Sequence, residues 1–352
     1  MRGGARNMIK MLLEIHEQPK IIEKLLNENE ELMNQIVEEL EGRDIANVII
    51  AARGTSDHAG IYGKYIIEHS IGIPVSLAAP SILTMYDKEI DYSRSLVIGI
   101  SQSGQALDVL EVVSQAKEQG AVTIGITNFN NSPIAEKAQY HLFTNAGVEE
   151  SVAATKTFTA QLAMLAYLIV KWSKNTEVYE MLKQVPEYVC RVLELEKDIE
   201  IAVQRYTYIE DCFILSRGIN YAIALENALK IQETSYVKAK GYSISDFHHG
   251  PFAMIEDHTP VIVYAPKGPS YRDSLVMLEK LENAGAEIIV VSNDDALLKK
   301  HKISFRIPDI ESDIITPFCN IVFAQLFACK LSLARGCNPD APRGLNKVTI
   351  TK

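Results

Sequence analysis

No Cys-x-x-Cys pair, no long apolar run and no excess of positive charge occurs in this sequence, and each absence removes a class of function. The five cysteines, Cys190, Cys212, Cys319, Cys329 and Cys337, are odd in number and widely spaced. That pattern argues against a disulfide framework or a zinc site and fits a reducing, cytoplasmic setting. Each is expected to be a buried thiol rather than a nucleophile. No apolar stretch of about 18 residues appears, so no membrane span is expected. Met1 to Asn7 is basic but is not followed by an uninterrupted apolar segment; it reads as an unstructured start and not a signal peptide. The formal net charge of −10 disfavours nucleic acid as a partner. It leaves room for a small anion, because backbone N–H groups at a helix N-terminus can hold a phosphate on an acidic protein. The 352 residues, 47% hydrophobic and 23% charged, suggest two globular domains with no large disordered tract.

What is present is a pattern written twice. Asn47-Val-Ile-Ile-Ala-Ala-Arg-Gly54 matches Cys212-Phe-Ile-Leu-Ser-Arg-Gly218. The run from Ser95 to Ser101 matches that from Thr259 to Ala265, and Ala121 to Thr127 matches Ala286 to Ser292, always at an offset of about 164 residues. Short Val/Ile-rich runs alternate with helical stretches, which predicts βαβ units in a parallel sheet. Gly120 and Gly285 stand where a helix must stop before the next strand. The expected organisation is an N-terminal lead-in helix (1–29), a first α/β lobe (30–172), a helical connector (173–208), a second lobe (209–335) and a C-terminal tail (336–352) with no counterpart in the first copy.

Open α/β sheets bind ligands beyond the carboxyl ends of their strands. After the first strand, Thr55 and Ser56 open a predicted helix, either as caps or with their N–H groups facing a ligand. After the second strand comes Ser101-Gln102-Ser103-Gly104, with a helix from about Ala106 to Gln119 whose positive end points at the same place. Two hydroxyls, an amide and a glycine suit a phosphate better than a simple cap. The equivalent turn of the second copy, Pro266 to Ser270, has two prolines that lack N–H donors, so only the first copy is competent. Val152-Ala-Ala-Thr-Lys156 precedes an apolar helix, Phe158 to Trp172, and reads equally as a capped buried helix or a ligand contact.

The second copy carries the titratable groups. Glu226, Lys230 and Glu233 lie on one face of a predicted helix, Ala222 to Val237. They form either a solvated salt-bridge row or, with Leu225, Leu229 and Ile231 nearby, an acid–base set in a cleft. Asp246-Phe-His248-His249-Gly-Pro251 lacks a third spaced ligand set, so no metal is expected, and a single histidine acting as acid or base is preferred. Lys347 in the tail is either solvated or docked.

Arg-Gly-Thr-Ser-Asp-His-Ala-Gly, Ser-Gln-Ser-Gly, Val-Ala-Ala-Thr-Lys, Ala-Leu-Glu-x-Ala-Leu-Lys-x-x-Glu, His-Gly-Pro and Pro-Arg-Gly-Leu-x-Lys occur in that order across nearly the whole chain. In this the sequence resembles the tandem sugar isomerase (SIS) family, both the isomerase module of glucosamine-6-phosphate synthases and, in wording, the stand-alone glucosamine-6-phosphate deaminases. The resemblance implies two flavodoxin-like lobes in a homodimer, no cofactor, and a phosphorylated sugar as ligand. It implies phosphate contacts at Ser56, Ser101, Gln102 and Ser103, with Thr55, Val152 and Glu226 about the sugar. It implies that Glu233 moves a proton between C1 and C2, that Lys230 assists, that His249 opens the ring from the partner subunit, and that Lys347 lies over the open-chain sugar. Two departures from the synthase pattern are Gln105-Ala106, which lacks a phosphate-binding hydroxyl, and Ala154 in place of serine. The sequence also begins close to the sugar domain, without the glutaminase part of a synthase. Deamination of glucosamine 6-phosphate is therefore the expected activity, with deglycation of 6-phosphorylated fructosamines and non-catalytic sensing as alternatives.

Overall fold

A computed structural model describes residues 9–347; the expectation for Met1 to Asn7 lies outside them. Two helices lead in, α1 (Lys10–Glu28) and α2 (Glu30–Glu41). The first lobe follows as β1 (Asn47–Ala51), α3 (Thr55–Ser70), β2 (Val75–Leu77), α4 (Ser81–Thr84), β3 (Ser95–Ser101), α5 (Leu107–Glu118), β4 (Val122–Thr127), α6 (Pro133–Lys137), β5 (Tyr140–Phe143) and α7 (Lys156–Trp172). Helices α8 (Thr176–Lys183), α9 (Val185–Leu193) and α10 (Glu196–Val203) connect the lobes. The second lobe is β6 (Asp211–Ser216), α11 (Tyr221–Ser235), β7 (Lys238–Ser243), α12 (Ile244–His248), β8 (Pro260–Tyr264), α13 (Tyr271–Asn283), β9 (Glu287–Ser292), α14 (Asp295–Lys300), β10 (Ile303–Arg306) and α15 (Thr316–Ala334).

Each lobe is a five-stranded, wholly parallel sheet flanked by helices. The orders β2-β1-β3-β4-β5 and β7-β6-β8-β9-β10 are the same topology repeated. Parallel strands are covered on both faces, which is why β3 and β4 are buried at every position and are mostly apolar. Gly120 and Gly285 take φ of +83° and +77°, the left-handed conformation that ends α5 and α13 before the next strand. The repeat extends to side chains. Arg53 Nε lies 2.7 Å from Asp108 Oδ2, and at the matching place Arg217 Nε lies 3.1 Å from Asp273 Oδ2.

The last helix of each copy, α7 and α15, is buried almost all round, as its uniformly apolar sequence requires. By length and composition α15 could cross a membrane, so the sequence does hold one such segment, but it lies inside the fold. Its Lys330 pairs with Glu196 and Glu200 of α10 at 2.7 and 2.8 Å. Helix α1 packs on α7, α9 and α15 and so touches both lobes. The connector is more amphipathic than its polar composition suggests: Val178, Leu182, Val185, Val189, Val192, Ile199 and Val203 face the core. Cysteines 212, 319 and 329 are buried as expected, but Cys190 is exposed on the outer face of α9 and Cys337 is half-buried.

Candidate functional site

The turn after β3 is built to leave donors free. Ser101 Oγ accepts from Gly104 N at 3.1 Å and Ser103 Oγ accepts from Gln105 N at 3.3 Å. Both hydroxyl protons therefore remain available to a ligand. Helix α5 starts beyond them, at Leu107, and its N-cap Ala106 offers no side-chain cap. The positive end of the helix is thus left to whatever sits at the turn. Asp108 in the first turn would oppose an anion, but Arg53 pairs with it. Gly104 has φ +65°, and a Cβ there would lie 2.1 Å from Ser132 Oγ, so the turn requires glycine.

Thr55 and Ser56 are not the caps of α3; that place is taken by Gly54. Ser56 is buried, and its Oγ accepts from Gln161 Nε2 of α7 at 3.1 Å, which again directs the hydroxyl proton elsewhere. Thr55 turns to the other lobe. Its hydroxyl donates to Glu226 Oε1 and accepts from Lys230 Nζ, both at 3.1 Å. His58, one turn further along α3, reaches Glu226 Oε2 through Nδ1 at 2.7 Å.

Glu226, Lys230 and Glu233 share one face of α11, as spaced, but the row is interior and not solvated. Glu226 and Lys230 are fully buried, whereas Glu233 keeps 22% of its side chain exposed. Lys230 Nζ stands 3.2 Å from Glu226 Oε1 and 2.6 Å from Glu233 Oε2. Burial pulls the Lys230 ammonium down, but the two carboxylates outweigh it and hold it above the ordinary lysine range. Burial pushes Glu226 up, yet Lys230 and His58 together hold it below the usual carboxylate range. The result is a fixed ammonium between two carboxylates, of which only Glu233 reaches the surface. The side-chain polar atoms of Thr55 and Glu226, both expected about the sugar, join the two lobes here.

The tail is docked. Lys347 Nζ binds Glu149 Oε2 at 2.6 Å and the Ser151 carbonyl at 2.8 Å. Glu149 is itself buried and caps α7, accepting from Thr155 N and Thr157 N at 2.8 and 3.2 Å. Val152 is half-buried in the same loop, and its N–H is taken by the Asp340 carbonyl of the tail at 3.2 Å. His249 lies exposed beyond α12; among the described residues its ring makes no hydrogen bond, and no three His, Cys, Asp or Glu side chains converge as a metal-ligand set. His58, Glu149 and Gln161 were not singled out from the sequence. His58 falls within the Arg-Gly-Thr-Ser-Asp-His motif, and three residues after Thr55 it shares that residue's helix face, the one signal that pointed to it.

Comparison with known proteins agrees with this geometry. The SIS domain family matches residues 43–171 and 210–335. The glutamine–fructose-6-phosphate aminotransferase [isomerizing] of Aquifex aeolicus is 38% identical over 353 residues, covering 99% of this chain and 58% of the relative. That of Methanothermobacter thermautotrophicus is 36% identical, over 97% of this chain and 57% of the relative. The chain thus spans little more than half the length of these curated relatives. Among solved structures, the C-terminal domain of glucosamine-fructose-6-phosphate aminotransferase from Francisella tularensis superposes with a TM-score of 0.87 at 28% identity, covering 97% of this chain and 100% of that one. A glucosamine-6-phosphate deaminase from Thermotoga maritima shares the fold, with a TM-score of 0.77 at 23% identity over 97% of this chain and 100% of that one. With two matched copies occupying most of its length, each a parallel sheet in the same strand order, the chain belongs to the SIS domain family.

Proposed function

We propose that this chain is a phosphosugar isomerase acting on a 6-phosphorylated 2-amino sugar, releasing ammonia as the aldose becomes a ketose. The observation that carries the reading is the ammonium of Lys230 held between buried Glu226 and partly exposed Glu233, tied by Thr55 to the lobe that bears the Ser101–Gly104 turn. In this reading Ser56, Ser101, Gln102 and Ser103 hold the phosphate. Glu233 takes the proton from C2 of the open-chain amino aldose and returns it to C1. The C2 amine becomes an imine, and water converts that imine to the ketone with loss of ammonia. Lys230 holds Glu233 in place and stabilises charge on the neighbouring oxygen. His249 from a partner subunit opens the ring, and Lys347 closes over the chain. The same groups serve the reverse reaction, amination of the ketose phosphate, which is the direction the names of the curated relatives describe.

The test is ammonia release from a panel of 6-phosphorylated amino sugars and fructosamines, with Glu233→Gln beside wild type. Glucosamine 6-phosphate is expected to give ammonia and fructose 6-phosphate, and the variant to lose about 10²–10⁴-fold in kcat, the scale of general acid–base catalysis. Unchanged activity in the variant would remove Glu233 from the chemistry. Preference for fructosamine 6-phosphates would identify a deglycase, and tight binding without turnover of any sugar a sensor.

A further inference from the structure

We propose that His58 is a positioning residue for the acid–base centre, reaching from the phosphate-binding lobe into the other lobe to fix the carboxylate of Glu226. The inference rests on the proposed function insofar as Glu233 is the proton-transfer group. The contact itself does not depend on that reading.

The two oxygens of Glu226 are served by different partners. Oε1 receives the Thr55 hydroxyl and Lys230. Oε2 receives His58 Nδ1 at 2.7 Å, the one donor to that oxygen among the described residues. Glu226 is wholly buried, so no water replaces a lost donor without the packing opening. His58 is itself mostly buried, with 18% of its side chain exposed. The charged groups facing it are half-buried Asp57 on its own helix, and Glu226 with Lys230 behind it on α11.

The consequence is electrostatic. Lys230 divides its interaction between Glu226 and Glu233. As long as Glu226 is ionised and correctly turned, part of that charge is balanced away from Glu233. Without the His58 donor, Glu226 is left with a desolvated oxygen and is driven toward its protonated form. The ammonium then falls wholly on Glu233 and holds that carboxylate in the ion pair instead of leaving it to the substrate. Because Ser56, Thr55 and His58 share the first turns of one helix, the same rigid segment carries both a proposed phosphate contact and the orientation of Glu226.

The test compares His58→Leu, which keeps bulk without a donor, with His58→Asn, whose side-chain amide can place an N–H near the position of Nδ1. Steady-state kinetics on the sugar phosphate that wild type turns over are expected to show a roughly 10- to 100-fold fall in kcat for His58→Leu. KM should stay within about twofold. His58→Asn should recover most of kcat. A changed KM at constant kcat would make His58 a substrate contact. Unaltered kcat, or failure of His58→Asn to rescue a folded protein, would overturn the proposal. A second measurement needs no turnover: the imidazole ¹⁵N chemical shifts of His58 in wild type and in Glu226→Gln. Loss of the carboxylate acceptor should move the Nδ1 signal. Identical signals in both proteins overturn the contact, whereas a moved signal in a protein that turns over no sugar upholds the contact and rejects the proposed function.

Discussion

Replacing Lys230 with methionine tests the centre at its most buried point. The methionine side chain fills a similar volume, so the perturbation is chiefly the removal of one charge. Lys230 is fully buried and lies 3.2 Å from Glu226 and 2.6 Å from Glu233. Glu233 can turn to solvent, but Glu226 cannot, and it would keep only Thr55 and His58 as donors. Breaking a buried pair by removing one partner costs about 3–5 kcal/mol, mostly for the charge left behind. The sign with pH follows from the same group. In wild type Glu226 is held below its ordinary range, so its contribution is present above the unfolded pKa and is lost as pH falls through the folded one. In the variant, burial acts unopposed by Lys230 and raises Glu226 instead. A raised carboxylate favours the folded state at low pH and disfavours it as pH rises, so the difference from wild type should be largest near pH 8 and shrink toward pH 5. Urea unfolding followed by fluorescence of Trp172, the sole tryptophan and part of the first lobe, and by far-UV circular dichroism reads both lobes and tests whether they unfold together. The double variant Lys230→Met with Glu226→Gln removes both charges and should recover roughly half of the loss or more. A cost below about 1 kcal/mol at both pH values, or a double variant no more stable than the single one, would refute the reasoning.

Two further substitutions probe one lobe each. Gly104→Ala places a Cβ 2.1 Å from Ser132 Oγ at a φ of +65° and must displace the Ser101–Gly104 turn. KM for the sugar phosphate should rise at least about tenfold, equivalent to about 1.4 kcal/mol, and a KM within twofold of wild type would remove the turn from phosphate binding. In the second lobe, burial pushes the Asp313 carboxyl up to about 6 from an ordinary 3.8, and its Oδ1 has no hydrogen-bond partner among the described residues. The folded state therefore holds a proton that the unfolded state has lost between these values, and stability falls as pH rises through that window. Asp313→Asn should raise the urea midpoint at pH 8 by the equivalent of about 1–2 kcal/mol, discounted for partial exposure, and leave it unchanged near pH 4. An equal gain at both pH values would show that ionisation is not the cause.

The central strands were legible because burial on both faces makes them rich in Val and Ile, with few polar positions. The edges were not. β7 reads Lys-Ala-Lys-Gly-Tyr-Ser and alternates exposed with buried positions, as an edge strand facing solvent does, and β2 has only three residues. In the site, the turn after β3 and the spacing along α11 could each be recognised alone. Their junction could not, since the bond from Thr55 to Lys230 joins residues 175 apart in the chain. Adjacent Glu149 and Glu150 look like a surface pair, and Glu150 is exposed. Glu149 is drawn inside because α7 starts without a cap of its own and needs an acceptor for Thr155 and Thr157.

The repeat also explains why the set of Glu226, Lys230 and Glu233 is built once. Helices α3 and α11 follow equivalent strands and pack against each other. Applying the offset that aligns Arg53-Gly54 with Arg217-Gly218, Glu226 corresponds to Tyr62 and Lys230 to Ile66. Both first-lobe residues are fully buried, and the Tyr62 hydroxyl is used on the Ile314 carbonyl at 2.9 Å. A lone carboxylate or ammonium at those places would be a buried charge without its partner, so the first lobe keeps them uncharged. Conversely, the second lobe's turn, with Pro266 and Pro269, lacks two N–H donors that an anion would need. Each copy has thus given up what the other retains, and the contact of α3 with α11 brings the two halves together: the hydroxyls and His58 from one copy meet the carboxylates and ammonium of the other.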